Sequence, residues 1–357
     1  MSSLNTSEIT KPFLKLTELS SSFAISEPET SPQILSDLEQ LPQYSSNIKR
    51  YQTQFPLFGI TFQSISSPLT LALSTRELSS KNKIIILELQ EDKFIERIKV
   101  DCEFPPSSIL FSPNTSNKDL LISTSDCLRI YKYSDLKLIL LKEMQRNSKI
   151  YCGPYTSCDW SRINASVVGV SSSDTTCSLW DITKSEILST LIVDDKSVYD
   201  ISFGDDDCTF MTAGEKGGIR LFDIRTRDTC SVLFYNGKPV TRVKGNIINN
   251  NLVICCFLEQ SSIYVLDKRK PDNIYAILEG HSNVVNNAIW APKSNTNVIS
   301  VGDDKMALIW DIFGDDKRKC VMEYEANKPI ENVAWGDYTD DWVGIIYGES
   351  VEILKMK

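Results

Sequence analysis

A large apolar residue returns at a nearly constant interval along this chain, and that period constrains the fold more than any other feature. The recurring positions are Leu87, Tyr131, Trp180, Phe222, Leu266, Trp310 and Leu354. They are separated by 44, 49, 42, 44, 44 and 44 residues. A unit of this length accommodates four strands of about 5–6 residues together with their connections. The period therefore predicts seven copies of one four-stranded unit.

The unit is most complete around Trp310. It opens with Gly280-His281 and closes with Trp310-Asp311, and three strand-length apolar runs lie between them. A GH…WD pattern of this length is the signature of one propeller blade. Because one blade cannot bury both faces of its sheet, blades stack into a closed ring. We predict an all-β fold, a seven-bladed WD-repeat β-propeller, over residues 46–357.

The last unit contains only three strand-like runs before the chain ends at Lys357. A propeller leaves no unpaired edge inside its ring, so we predict that residues 48–54 supply the missing outer strand and close the ring. The one long interval, of 49 residues, lies between Tyr131 and Trp180. We assign the extra length to a loop over Lys142–Gly153.

Residues 1–45 show no repeat and are rich in Ser, Thr and acidic residues, which is typical of a disordered extension. Within this extension Ile34, Leu35, Leu38 and Leu41 follow helical spacing. A helix that docks on a partner and chance apolar residues in a disordered tail are both compatible with this spacing.

Composition excludes several classes of function. The formal net charge of −9 argues against direct nucleic-acid binding, which favours a basic surface. No apolar run reaches the roughly 20 residues of a membrane helix, and the first residues do not resemble a secretory signal. Of ten cysteines, none forms a CxxC pair, so a zinc site and any other metal or cofactor are not expected. Several fall in predicted strands as reduced, intracellular core residues: Cys158, Cys177, Cys208, Cys255 and Cys256.

Four polar residues of the most complete unit form a predicted structural set. In WD repeats a hydrogen-bonded chain runs from a Trp indole through Ser and His to Asp, and the matching residues are Trp310, Ser300, His281 and Asp304. His281 is the only histidine in the chain. No histidine then remains for a Ser-His or Cys-His nucleophile, so we expect no enzymatic activity. Asp174 has no matching histidine, so the full set is expected once.

The sequence resembles one WD-repeat family, the Transparent Testa Glabra type of plants, whose animal members are cullin-ligase-associated proteins that scaffold DYRK-class kinases. The resemblance lies in PYTSCDWSRINASVVGVSSSDTTCSLWDI (Pro154–Ile182), VYDISF (Val198–Phe203), HSNVVNNAIWAP (His281–Pro292), ALIWDI (Ala307–Ile312), IENVAW (Ile330–Trp335) and VEILK (Val351–Lys355). It implies a non-enzymatic, cytoplasmic and nuclear scaffold that holds protein kinases or transcription factors and is monomeric by itself.

Two sets of residues are candidates for partner contacts. Residues before each turn Asp and at the start of each inner strand usually form the peptide-binding surface of a propeller. This placement predicts contacts at Ser173, Tyr199, Lys216, Arg242, Asn286, Asp303 and Asn332. The second set follows from the resemblance, because some relatives are taken to be cullin–RING substrate receptors that bind an adaptor through a W-D-x-R box. Arg225 and Arg269 match a relaxed form of this box, and an arginine merely paired with its neighbouring Asp is the alternative.

A third hypothesis is a catalytic or small-molecule-binding propeller. Such a protein needs clustered histidines or carboxylates along its central channel. The sequence offers no evident set of this kind, so the scaffold and the ligase receptor are the favoured functions.

Overall fold

The computed structural model describes residues 48–356 except 65, 78–80, 147–152, 205–207, 227, 314–318 and 337–341. The predicted extension over residues 1–45 and its apolar set therefore lie outside the described residues. Within the described part, 28 strands form seven four-stranded antiparallel sheets. The prediction of an all-β, seven-bladed propeller is confirmed.

Each blade runs from an inner strand at the central channel to an outer strand at the rim, and in blades one to six the strands follow chain order. Blade one contains β2 (Leu57–Phe62), β3 (Thr70–Thr75), β4 (Asn82–Gln90) and β5 (Lys93–Cys102). Blade two contains β6 (Ser108–Phe111), β7 (Leu120–Thr124), β8 (Leu128–Ser134) and β9 (Lys137–Met144). Blade three contains β10 (Tyr155–Trp160), β11 (Val167–Ser172), β12 (Thr176–Asp181) and β13 (Glu186–Ile192). Blade four contains β14 (Val198–Phe203), β15 (Thr209–Gly214), β16 (Gly218–Asp223) and β17 (Asp228–Tyr235).

The remaining three blades follow the same order. Blade five contains β18 (Val240–Gly245), β19 (Leu252–Phe257), β20 (Ile263–Asp267) and β21 (Ile274–Leu278). Blade six contains β22 (Val285–Trp290), β23 (Asn297–Gly302), β24 (Met306–Asp311) and β25 (Lys319–Glu325). Blade seven contains β26 (Asn332–Trp335), β27 (Trp342–Tyr347), β28 (Ser350–Lys355) and the N-terminal strand β1 (Ile48–Gln52).

The periodic apolar residues all occupy one structural position. Each lies on the third strand of its blade and faces a residue of the second strand, as Trp310 faces Val298 and Trp180 faces Val168. All seven are at most 9% exposed. The sequence period is thus the spacing of equivalent core side chains.

Apolar clusters fill every junction between neighbouring blades. At the junction of blades three and four, Phe203, Phe210 and Phe222 pack together, and the rings of Phe210 and Phe222 stack with their centroids 5.2 Å apart. An equivalent cluster lies at each of the other six junctions. Because each blade shares its core with both neighbours, the ring behaves as one continuous hydrophobic core.

The N-terminal strand closes the ring, as predicted. β1 pairs antiparallel with β28, so that Ile48 lies opposite Leu354. A buried carboxylate reinforces this closure. Glu352 is fully buried and accepts hydrogen bonds from Tyr324 Oη at 2.5 Å and Tyr347 Oη at 2.6 Å, and Arg50 of β1 pairs with it. β1, blade six and the rest of blade seven therefore meet at one buried carboxylate.

Two details of the sequence analysis are corrected by the structure. The loop predicted over Lys142–Gly153 begins later, because residues up to Met144 continue to pair with β8. The connection from β9 to β10 spans residues 145–154, of which 147–152 lie outside the described part. Cys208 lies one residue before β15 and is half-buried, whereas the other four strand cysteines are buried free thiols.

Candidate protein-interaction faces

The ring has two distinct faces, defined by strand direction. All seven inner strands run the same way, and the turns from second to third strands lie where the inner strands begin. We call this side the top face; it includes the turns at residues 173–175, 215–217 and 303–305. The bottom face carries the loops that follow the inner strands, such as residues 161–166 and 246–251.

In blade six the predicted structural set forms one chain of hydrogen bonds. Trp310 Nε1 donates to Ser300 Oγ at 2.8 Å, and Ser300 Oγ lies 2.7 Å from His281 Nε2. The other ring nitrogen, Nδ1, lies 2.8 Å from Asp304 Oδ2. Both nitrogens of the imidazole are therefore occupied within a buried network, which fixes the turn of residues 303–305 on the top face.

Asp304 is held in its charged form. Burial alone would raise its pKa, but the hydrogen bond and charge of His281 lower it. The backbone amides of Ser282 and Met306 also donate to its two oxygens, at 2.9 and 3.1 Å. The carboxylate thus ties the segment before blade six to its top-face turn.

Blade three replaces this set with a different one. Asp174 occupies the equivalent turn position, and Arg146, from the connection between β9 and β10, pairs with it in place of a histidine. Thr176 Oγ1 donates to Asp174 at 2.7 Å. Trp180 Nε1 is buried without a hydrogen-bond partner, because Val170 stands where blade six has a serine.

Five of the seven predicted contact residues surround the top mouth of the channel: Ser173, Tyr199, Lys216, Asn286 and Asp303. They are half-buried and partly fixed by neighbours. Lys216 Nζ contacts Asp195 Oδ2 at 2.7 Å, and Asn286 Nδ2 donates to Asp303 Oδ1 at 2.7 Å. Asn286 also donates to the carbonyl oxygen of Ile330, at 2.9 Å. Asn286 is thus fixed within blade six and against the start of blade seven, and Lys216 is fixed by the segment before blade four.

The other two predicted residues, Arg242 and Asn332, lie one step deeper and line the channel wall. Asn332 bridges blades six, seven and one. Its Oδ1 accepts a hydrogen bond from Asn287 Nδ2 at 2.6 Å, and its Nδ2 donates to the carbonyl oxygen of Phe58 at 3.0 Å. The predicted set therefore divides into a top rim and a channel level.

The central channel has a volume of about 270 Å³ and is lined by all seven inner strands. Its most buried charge is Asp200, on the inner strand of blade four. This carboxylate accepts hydrogen bonds from Ser157 Oγ at 2.7 Å and from the Val243 amide at 3.0 Å, and Lys244 Nζ lies 3.1 Å from it. Asp200 therefore joins blades three, four and five.

Two carboxylates line the channel, contrary to the sequence-based expectation that no such set exists. The second, Asp159, accepts a hydrogen bond from the Phe203 amide at 2.8 Å, and burial raises its pKa. Both carboxylates bind backbone amides of the next blade, a role that fixes blade to blade. The signal that sequence reasoning missed is an acidic residue within an inner strand.

Arg225 and Arg269 occupy equivalent positions on the bottom face, in the turns that follow third strands. Arg225 Nη2 lies 2.5 Å from Asp223 Oδ2, and Arg269 Nη2 lies 2.7 Å from Asp267 Oδ2. Their side chains are 70% and 66% exposed. The hydrogen bonds of Arg225 lower the pKa of Asp223 to about 2. Each arginine is thus paired with its neighbouring Asp and still presents much of its surface to solvent.

Within the described ranges, no group of three or more His, Cys, Asp or Glu side chains is arranged to hold a metal ion. In the same part of the chain, no helix has the length and apolar character needed to cross a membrane.

Comparison with known proteins agrees with this architecture. The WD domain, G-beta repeat family matches residues 273–311, which span the outer strand of blade five and the first three strands of blade six. A DDB1- and CUL4-associated factor 7 homolog of Dictyostelium discoideum is 30% identical over 322 residues, covering 87% of this chain and 98% of that protein.

Two fungal proteins are more distant relatives. An uncharacterized WD repeat-containing protein of Schizosaccharomyces pombe is 26% identical over 72% of this chain and 76% of its own length. A WD repeat-containing protein of Saccharomyces cerevisiae is 25% identical over 78% of this chain and 63% of its own length. By its blade geometry and by these similarities, the chain belongs to the WD-repeat family.

Proposed function

We propose that this chain is a non-enzymatic scaffold that assembles protein kinase or transcription-factor complexes on its top face. The observation that carries the proposal is the top rim, where polar side chains of several blades surround one mouth. Asn286 is fixed by hydrogen bonds within blade six and to the carbonyl oxygen of Ile330, and Lys216 is fixed by Asp195 of the segment before blade four. A preorganised surface of this kind binds a partner segment without the entropic cost of ordering itself. WD-repeat propellers are generally scaffolds of this type, and we expect this one in the cytoplasm and nucleus.

The state of the only histidine favours binding over catalysis. Both ring nitrogens of His281 are within 2.8 Å of a structural partner, and its side chain is fully buried. A general base must reach a substrate proton, and this imidazole cannot do so without breaking the blade-six network. The described carboxylates of the channel are likewise bound to backbone amides.

Affinity purification of the full chain tests the proposal. A tagged wild-type chain should recover a protein kinase or a DNA-binding protein, and Tyr199→Ala with Asn286→Ala should reduce that recovery by about tenfold or more. The matched control is Ile192→Ala with Val321→Ala, at exposed positions of outer strands. Loss of the partner in the control, or its retention in the top-face variant, contradicts the proposal.

The alternative function is a substrate receptor of a cullin–RING ubiquitin ligase. Two observations favour it: the paired but exposed Arg225 and Arg269 of the bottom face, and the similarity to a protein named as a DDB1- and CUL4-associated factor homolog. Arg225→Ala with Arg269→Ala should then abolish co-purification of a DDB1-type adaptor and leave top-face partners bound. Unchanged adaptor recovery from this double variant removes the alternative.

A further inference from the structure

The charged side chains of the channel differ in whether they have a hydrogen-bond or ion-pair partner. The wall carries five of them: Asp159, Arg162, Asp200, Arg242 and Lys244. Both carboxylates accept backbone hydrogen bonds, and Lys244 pairs with Asp200 at 3.1 Å. Arg242 differs from these neighbours, because among the described residues its side chain has no hydrogen-bond or ion-pair partner.

The position of Arg242 makes this difference informative. Arg242 is the third residue of its inner strand, β18. It lies at the same depth in the channel as Ser157, Asp200, Asn287 and Asn332 of other inner strands. Those four side chains all form hydrogen bonds to an adjacent blade. At the junction of blades five and six, the side chain at this level faces the channel without such a bond. A half-buried guanidinium in a concave, partly desolvated wall strongly favours an anionic partner.

We propose that the channel receives one carboxylate side chain, an Asp or Glu of a partner segment, and that Arg242 binds it. This inference rests on the proposed scaffold function and specifies the chemistry of its partner. The planar guanidinium forms two parallel N–H···O bonds with a carboxylate, so the contact also fixes the orientation of the partner side chain.

The charge of the wall distinguishes a carboxylate from other ligands. With both aspartates ionised, the five charged residues sum to +1, which one carboxylate neutralises. A phosphate group, with a charge of about −1.5 to −2, would leave excess negative charge beside the fully buried Asp200. A lysine or arginine side chain would add to the positive charge. The volume of about 270 Å³ is far above the roughly 10–15 Å³ that one water needs, so a side chain can enter the channel by displacing solvent.

Selection of random twelve-residue peptides by display on the immobilised full-length chain tests this inference. The wild type should enrich peptides that share one Asp or Glu. Exchange of that residue for Asn or Gln in a synthesised peptide, or Arg242→Gln in the protein, should each weaken binding by about tenfold or more. Arg242→Glu should instead enrich peptides with Lys or Arg.

The control variant is Lys184→Glu, which makes the same change of charge at an exposed turn of blade three. It should select the same peptides as the wild type. Thermal unfolding of all variants verifies that the ring is intact. Enrichment without a shared acidic residue, equal binding to Arg242→Gln, tighter binding of a phosphoserine peptide, or no enrichment at all overturns the inference. The scaffold proposal is judged separately, by the co-purification of the top-face variant.

Discussion

Removal of the closing strand should disrupt the whole ring. We compare a chain that lacks residues 1–54 with one that lacks residues 1–40. The first loses β1, whose five residues pair with β28. At about 1 kcal/mol for each net hydrogen bond, this pairing contributes a few kcal/mol. Ile48 and Tyr51 are half-buried in the neighbouring cores, which adds about 1 kcal/mol each.

The buried Glu352 increases this cost. Without β1 the carboxylate loses Arg50, although the contribution is small because the arginine side chain is 62% exposed. The total approaches the 5–15 kcal/mol that stabilises a typical domain. Loss of β1 also leaves β28 as an unpaired edge, which promotes aggregation. The shorter truncation, over residues 1–40, removes none of these contacts.

Size-exclusion chromatography with light scattering and urea denaturation measures the outcome. The chain without residues 1–54 should be aggregated or unfolded, and the chain without residues 1–40 should resemble the full chain in midpoint and mass. A synthetic peptide of residues 46–56, added during refolding, should partly restore the folded fraction of the chain that lacks residues 1–54. A stable monomer that lacks β1 and unfolds like the full chain would refute the closure argument.

Three further predictions concern single side chains. Ser300→Ala removes the partner of the blade-six indole and imidazole, and should cost about 1–3 kcal/mol in urea denaturation. Burial and the nearby Glu352 raise the pKa of Tyr324 from 10.0 to about 12. The protonated Tyr324 contributes its full stabilisation below pH 10, and this contribution is lost as pH rises towards 12. In Tyr324→Phe, the free energy of unfolding should therefore decrease less between pH 10 and pH 12 than in the wild type. Arg225→Ala should raise the pKa of Asp223 from about 2 towards 3.8, as NMR titration of the carboxyl carbon would show.

The fold was predictable from the sequence because the repeated residue is a core residue. Every blade needs one large apolar side chain at the same position of its third strand, and this need leaves a period of about 44 residues even where Trp is replaced by Leu, Tyr or Phe. The closing strand was predictable by the same counting, since the last blade lacked one strand. These inferences depend on local spacing and on the rule that sheet edges must be paired.

Contacts between distant segments were not predictable in the same way. Arg146 comes from a connection with no repeat pattern, so its pairing with Asp174 has no sequence signal. The cluster at Glu352 unites β1 with strands of blades six and seven, which lie at the opposite end of the described chain. A weak signal did exist, because Glu352 interrupts an apolar strand, as Asp200 does in blade four. A buried charge within a strand requires partners, but spacing alone does not identify them.

The depth of each candidate contact residue also depends on three-dimensional structure. One residue of difference along an inner strand separates Asn286, at the top rim, from Asn287, in the channel. Sequence position placed all seven residues at the end of the blades near the channel, without separating Arg242 and Asn332 from the residues of the rim. The side-chain period of two within a strand explains this difference in depth.

Hydrogen exchange of the full chain, measured by mass spectrometry with and without a purified partner, tests the scaffold account most directly. Binding should slow exchange at the top-face turns, residues 173–175, 215–217 and 303–305, and at the starts of the neighbouring inner strands. The outer strands β13 and β25 should exchange at unchanged rates. Protection confined to outer strands or to the bottom face, with none at the top-face turns, would contradict the account.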